Sequence, residues 1–148
     1  MTDLTPIPVK TGKASVNTVP VIRVLVVDDS LAVRQYMKTK LASLSRDFDL
    51  DVDLAASGEE ALQMVAVTAY DLVFLDVVMP GISGHDVCRR IKQIRKTRVA
   101  MLSSLKSQQD HESGHIAGCD NYLTKPPEDA DLQAVLRIVS LRKAIGLA

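Results

Sequence analysis

From Val21 onward, short apolar runs alternate with longer stretches in which apolar residues recur every three or four positions. Val21–Val27 is a nearly continuous β-branched run, the pattern of a strand covered on both faces. It ends in Asp28-Asp29-Ser30, after which Leu31, Val33, Arg34, Met37 and Leu41 carry a helical period. Leu50, Val52 and Leu54 alternate as a second strand. Ser57 with Glu60 three residues later reads as a capping box opening a helix through Ala61, Leu62, Met64 and Val65. Leu72–Leu75 is a third strand ending at Asp76, and Ser83 caps a helix with Asp86 at its third position, continuing through Val87, Cys88 and Ile91. Val99–Leu102 precedes Ser103-Ser104 as a fourth strand, and a polar helix is predicted at about 107–117. Tyr122–Thr124 is a short fifth strand ending at Lys125-Pro126, and a last helix is expected to bury Leu132, Val135, Leu136, Val139 and Leu141. Five strand–helix cycles predict an α/β fold: a doubly wound, five-stranded parallel sheet with right-handed crossovers.

Residues 1–20 are rich in Thr, Pro, Val and Lys with no apolar period, and read as a flexible N-terminal arm before one domain at 21–148. At 148 residues the chain suffices for one core, burying roughly 70% of its unfolded surface. Eighteen basic residues balance eighteen acidic ones, so no global field favours nucleic acid or an anionic membrane. Aromatics at 3%, with no Trp, offer few stacking platforms for bases. No apolar run approaches the ~20 residues of a membrane span, and the N-terminus lacks a signal-peptide core. Cys88 and Cys119 make no disulfide framework and suit a reducing cytoplasm. These readings favour a cytoplasmic protein without direct nucleic-acid binding or membrane insertion.

In open parallel sheets, ligands sit beyond the carboxyl ends of the strands. The residues there are Asp28 and Asp29, Asp76, Ser103 and Lys125. One Asp or Ser in such a place ordinarily caps the next helix. Three converging carboxylates repel unless a cation or raised pKa values relieve them. An all-oxygen donor set with room for water favours Mg²⁺.

Val-Leu-Val-Val-Asp28-Asp29-Ser30, Leu-Asp76-Val-Val-Met79-Pro80-Gly81, Met-Leu-Ser103-Ser104 and Tyr122-Leu-Thr-Lys125-Pro126 together resemble the receiver domain of two-component response regulators, over about residues 21 to 145. Asp-Asp-Ser with Arg34 four residues further on looks like the chemotaxis type. The resemblance implies a flavodoxin-like strand order, 2-1-3-4-5. It implies Asp76 as phosphoryl acceptor and a Mg²⁺ site from Asp28, Asp29, Asp76 and the backbone carbonyl of Val78. Lys125 would pair with phosphoryl oxygens, Ser103 would donate its hydroxyl, and Tyr122 would turn inward as Ser103 moves. The Lys125–Pro126 bond would be cis. Val78 and Leu105 would flank the approach of hydrolytic water, and both are apolar. Partners would be a histidine kinase or phosphotransfer protein and a downstream protein target. The expected protein is a single-domain regulator, a phospho-acceptor rather than an enzyme. Pro127 stands where the family usually has an aromatic, and Ser103 where Thr is commoner.

Two other readings compete. One is a docking module with a receiver fold that works without phosphorylation. The other is a zinc hydrolase, because His111-Glu112-Ser113-Gly114-His115 matches H-E-x-x-H. Asn121 stands where a third His would be expected, and Gly114 weakens the helix that would carry the ligands. The basic run Arg89, Arg90, Lys92, Arg95, Lys96 and Arg98 reads as a solvated face whose late cations complement a helix dipole.

Overall fold

The computed structural model describes residues 19–104 and 117–147. Strands β1 (Val21–Val27), β2 (Asp49–Ala55), β3 (Leu72–Asp76), β4 (Arg98–Ser103) and β5 (Asn121–Thr124) form one sheet. Every pairing is parallel and the order is β2-β1-β3-β4-β5. The described helices are α1 (Leu31–Ser43), α2 (Gly58–Val67), α3 (Gly84–Ile94) and α4 (Asp129–Ala144). None is long and apolar enough to cross a membrane. The arm at 1–18, the helix expected at 107–117 except for its last residue, and the His111–His115 motif lie outside the described residues.

The continuous apolar runs conceal a period of two. On one face, Leu25, Val27, Val73, Leu75, Val99 and Met101 pack against Ala61 and Val65 of α2 and Val87, Cys88 and Ile91 of α3. On the other, Ile22, Val24, Val26, Leu72, Phe74, Ala100 and Leu102 pack against Met37 and Leu41 of α1 and four residues of α4, Leu132, Val135, Leu136 and Val139. The inner strands need apolar residues on both sides, which is why alternation shows only in edge strand β2. There Leu50, Val52 and Leu54 pack inward on the α1 face.

Serines set three of the four described helix starts. Ser30, Ser57 and Ser83 each accept from the backbone N–H three residues on, satisfying a donor the helix cannot. The expected capping box at Ser57 is shifted: Glu60 accepts from the N–H of Ala56, one residue before the cap. Leu141, expected to be buried, is 61% exposed, and Leu31, which opens the first helical period, is 62% exposed. Leu31 is the first residue of α1, and Leu141 lies beyond the last buried residue of α4, Val139. Met37, Met79 and Met101 are buried core filler, and Met64 packs against the core.

Candidate functional site

The carboxyl ends of β1, β3 and β4 bring together residues far apart in sequence. Asp28 follows β1, Asp76 ends β3 and Ser103 ends β4. All three are buried although polar. Asp29 projects beside them and is exposed. Carboxylate oxygens of Asp28, Asp29 and Asp76 lie within 4.8 Å of one another, an arrangement able to hold a metal ion.

Lys125, just past β5, reaches into this cluster. Its Nζ donates to Asp28 Oδ2 at 2.9 Å and lies 3.5 Å from Asp76 Oδ1. The remaining Asp28 oxygen accepts from the Ser30 N–H at 2.9 Å, and Asp76 Oδ1 accepts from the Val78 N–H at 3.4 Å. Burial, and then the charge of Asp28, raise the Asp76 pKa to about 6, against the pull of Lys125. For Lys125, burial works to lower the pKa, but the bond to Asp28 and the charge of Asp76 outweigh it and the net shift is upward. The site is therefore one ammonium shared by two crowded carboxylates, with a third at the rim.

The backbone around Asp76 is held tightly. The Val77 N–H donates to the Leu102 carbonyl, and the Gly84 N–H to the Val77 carbonyl. A Cβ on Gly84 would lie 2.3 Å from the Asp76 carbonyl oxygen and 2.7 Å from Val77 Cα. Only glycine lets α3 start this close to the acceptor strand. The turn between them also contains Gly81, at φ +81°. Behind Asp28, the Arg34 guanidinium donates to its backbone carbonyl at 2.7 Å. These supports, Gly84 and Arg34, were not assigned roles in the sequence, although Ser83-Gly84 and the Asp-Asp-Ser-x-x-x-Arg spacing mark both.

The Lys125–Pro126 bond is cis, as the resemblance implied. Pro127 is buried, and α4 starts at Asp129 behind a box formed by Glu128 and Asp131. The Tyr122 ring packs inward against the core on the α2–α3 face. Val78 is 64% exposed at the mouth of the site, whereas Leu105 lies outside the described residues. The basic run is only partly a solvated face. Lys92 bonds the Thr97 carbonyl and Asp120, and Arg95 bonds the carbonyls of Val65 and Ala66 at the end of α2.

Acidic groups beyond the strand ends of a flavodoxin-like sheet are the arrangement of the receiver-type class, a family of phosphoacceptor signalling modules. A family profile described as the response regulator receiver domain matches residues 24–137. The probable transcriptional regulator ycf27 of Cyanidium caldarium is 35% identical over 124 residues, covering 81% of this chain and 48% of its own. Protein PilG of Pseudomonas aeruginosa is 34% identical over 119 residues, covering 78% of this chain and 85% of its own. A Francisella receiver domain, that of response regulator 1452, superposes with a TM-score of 0.73 at 32% identity, over 82% of this chain and 98% of its own. The chain belongs to the response regulator receiver family. It spans about half the length of ycf27.

Proposed function

We propose that this chain is a Mg²⁺-dependent phosphoryl acceptor. It takes a phosphoryl group on Asp76 from a histidine kinase or phosphotransfer protein and signals to a downstream protein through a conformational switch. One observation carries the reading: three carboxylates, two of them buried, lie within 4.8 Å of one another beside the ammonium of Lys125. Such a cluster is costly to keep unless a cation uses it.

An oxygen of the Asp76 carboxylate attacks phosphorus as the bond to the donor breaks, and the donor leaves with the electron pair. A group with a pKa near 6 is ionised at neutral pH and so holds the needed lone pair. Asp28, Asp29 and Asp76 would hold Mg²⁺ through their carboxylate oxygens, a set that suits a hard cation, and the Val78 carbonyl would join them. That ion would supply charge neutralisation for the phosphoryl oxygens. Lys125 already lies between the carboxylates and offsets further negative charge. Ser103, at the end of the adjacent strand, donates its hydroxyl to the phosphoryl group, and Tyr122 on the neighbouring strand follows that movement. By the family pattern, Val78 and Leu105 would flank the approach of hydrolytic water. The unit doing this spans 21–148, with residues 1–20 as an arm. The two free thiols, Cys88 and Cys119, are in keeping with a cytoplasmic setting.

The test is intact-mass measurement after incubation with acetyl phosphate and Mg²⁺. The chain should gain one phosphoryl group, and Asp76→Asn should gain none. Undiminished labelling of that variant would place the acceptor elsewhere. No labelling of the wild type would favour a docking module that works without phosphorylation.

A further inference from the structure

We infer that the molecule carries a second site, an anion pocket at the amino-terminal end of the sheet, suited to a small ligand bearing adjacent phosphates. The pocket has a volume of about 310 Å³ and is bordered by Asp71, Arg98 and Asp120 at the starts of β3, β4 and β5. It is thus separated from Asp76 by the length of β3, roughly 16 Å at 3.3 Å per residue. Five cationic side chains line it against two carboxylates, an excess of three in a chain whose formal net charge is zero.

Both carboxylates are already committed. Asp71 accepts from the Arg23 N–H and from Lys143. Asp120 accepts from the Val99 N–H and from Lys92. Arg95 has a structural task in capping the carbonyls at the end of α2. That leaves Lys96, Arg98 and Arg142, which form no ion pair with a carboxylate among the described residues. Among the described residues the Arg98 side chain bonds only the neutral side chain of Asn121, at 3.3 Å. Lys96 and Arg142 are exposed. Three like charges around one concavity repel; Arg142, in the last turn of α4, complements that helix end and donates to the Leu147 carbonyl at 3.5 Å, but neither contact supplies a formal negative charge. An anion would relieve them.

Two of the three are guanidinium groups, whose planar forks match the oxygens of phosphate. The volume lies at the small end of the range for ligand sites. Nothing in the lining reads a base. Tyr70 is buried, with its hydroxyl on Asp53, and the Thr97 hydroxyl is donated to the Tyr70 carbonyl. Recognition therefore falls on the phosphates, whether free or carried by a nucleotide.

Calorimetric titration of pyrophosphate into the full chain, in low salt with EDTA, tests the site without metal bridging to the acidic end. Binding is expected, weakening as salt is raised and falling at least tenfold in Lys96→Gln/Arg142→Gln. Acetyl phosphate labelling of Asp76 in that variant verifies its fold. Arg90→Gln removes a cation of the same run outside the lining and should leave pyrophosphate binding unchanged. ADP titrated in parallel separates the sources. Equal affinity assigns the pocket to the diphosphate alone, and tighter ADP binding that is also lost in the double variant assigns it to a nucleotide. Absence of pyrophosphate binding would overturn the inference, as would binding retained in the double variant or equally reduced by Arg90→Gln.

Discussion

Asp76 is held in a site that disfavours its charge, and this has a measurable sign. Its pKa is about 6 in the folded chain against 3.8 ordinarily. The folded state therefore binds more protons between those values, and the stability this gives is fully present only below pH 3.8 and lost as pH rises through about 6. Two pKa units correspond to about 3 kcal/mol, an upper figure because Lys125 responds to the same charge. In EDTA, urea unfolding should show stability falling from pH 4 to 7, and Asp76→Asn should flatten that slope and exceed the wild type at pH 7.5. An equal slope in the variant would assign the titration to another group. At the rim, exposed Val78 sits where a polar side chain could orient water. Val78→Asn combined with Leu105→Glu should speed loss of phosphate from the phosphoprotein about tenfold, equivalent to about 1.4 kcal/mol of barrier. Timed phosphate release measures this, and an unchanged rate would mean that the two positions do not govern water.

Two glycines set how closely the elements approach, with different consequences. A Cβ on Gly58 would meet the side-chain methyls of Ile82 and Val87 at 2.5 Å, whereas one on Gly84 would meet backbone of the acceptor turn. Side chains can repack and backbone here cannot, since Val77 is tied to Leu102 and to Gly84 itself. Gly58→Ala should therefore cost about 1–3 kcal/mol of stability while leaving the rate of Asp76 labelling near normal. Gly84→Ala should slow labelling as well, because α3 must back away from Asp76. If the two variants label at the same rate, the close approach at Gly84 does not position the acceptor. The same contrast explains what the sequence made legible. Runs such as Leu72–Leu75 and caps such as Ser30, Ser57 and Ser83 are local signals, readable from a few neighbours. The pairing of Lys125 with Asp28 spans 97 positions, and the sequence brings the two together only once both are placed at the carboxyl ends of parallel strands. The exposure of Leu141 depends on where α4 runs out of sheet to cover, which no periodicity records. Lys92 and Arg95 read as surface charge because their partners, Asp120 and the end of α2, are brought near only by the fold.

Across the whole molecule the charge is segregated along the strands. Among the described residues, the carboxylates of Asp28, Asp29 and Asp76 gather at one end, and at the other Lys96, Arg98 and Arg142, which have no carboxylate partner, gather beside the paired Asp71 and Asp120. A ligand that binds only the folded chain stabilises it, by about 2.7 kcal/mol at a hundredfold excess over its Kd. For a chain of this length, that corresponds to a rise in melting temperature of roughly 6–10 °C. Mg²⁺ should therefore raise the melting temperature relative to EDTA, most clearly near pH 7.5 where Asp76 is ionised. Asp29→Asn should remove most of that rise while the fold persists, since Asp29 is exposed and contributes a donor rather than packing. Sites about 16 Å apart with no shared partner should act additively. Lys96→Gln/Arg142→Gln should accordingly leave the Mg²⁺ shift intact. Differential scanning calorimetry of the three proteins, with and without Mg²⁺, decides it. A shift retained in Asp29→Asn would remove that carboxylate from the metal site, and a shift altered by the distant pair would show that the two ends are coupled through the sheet.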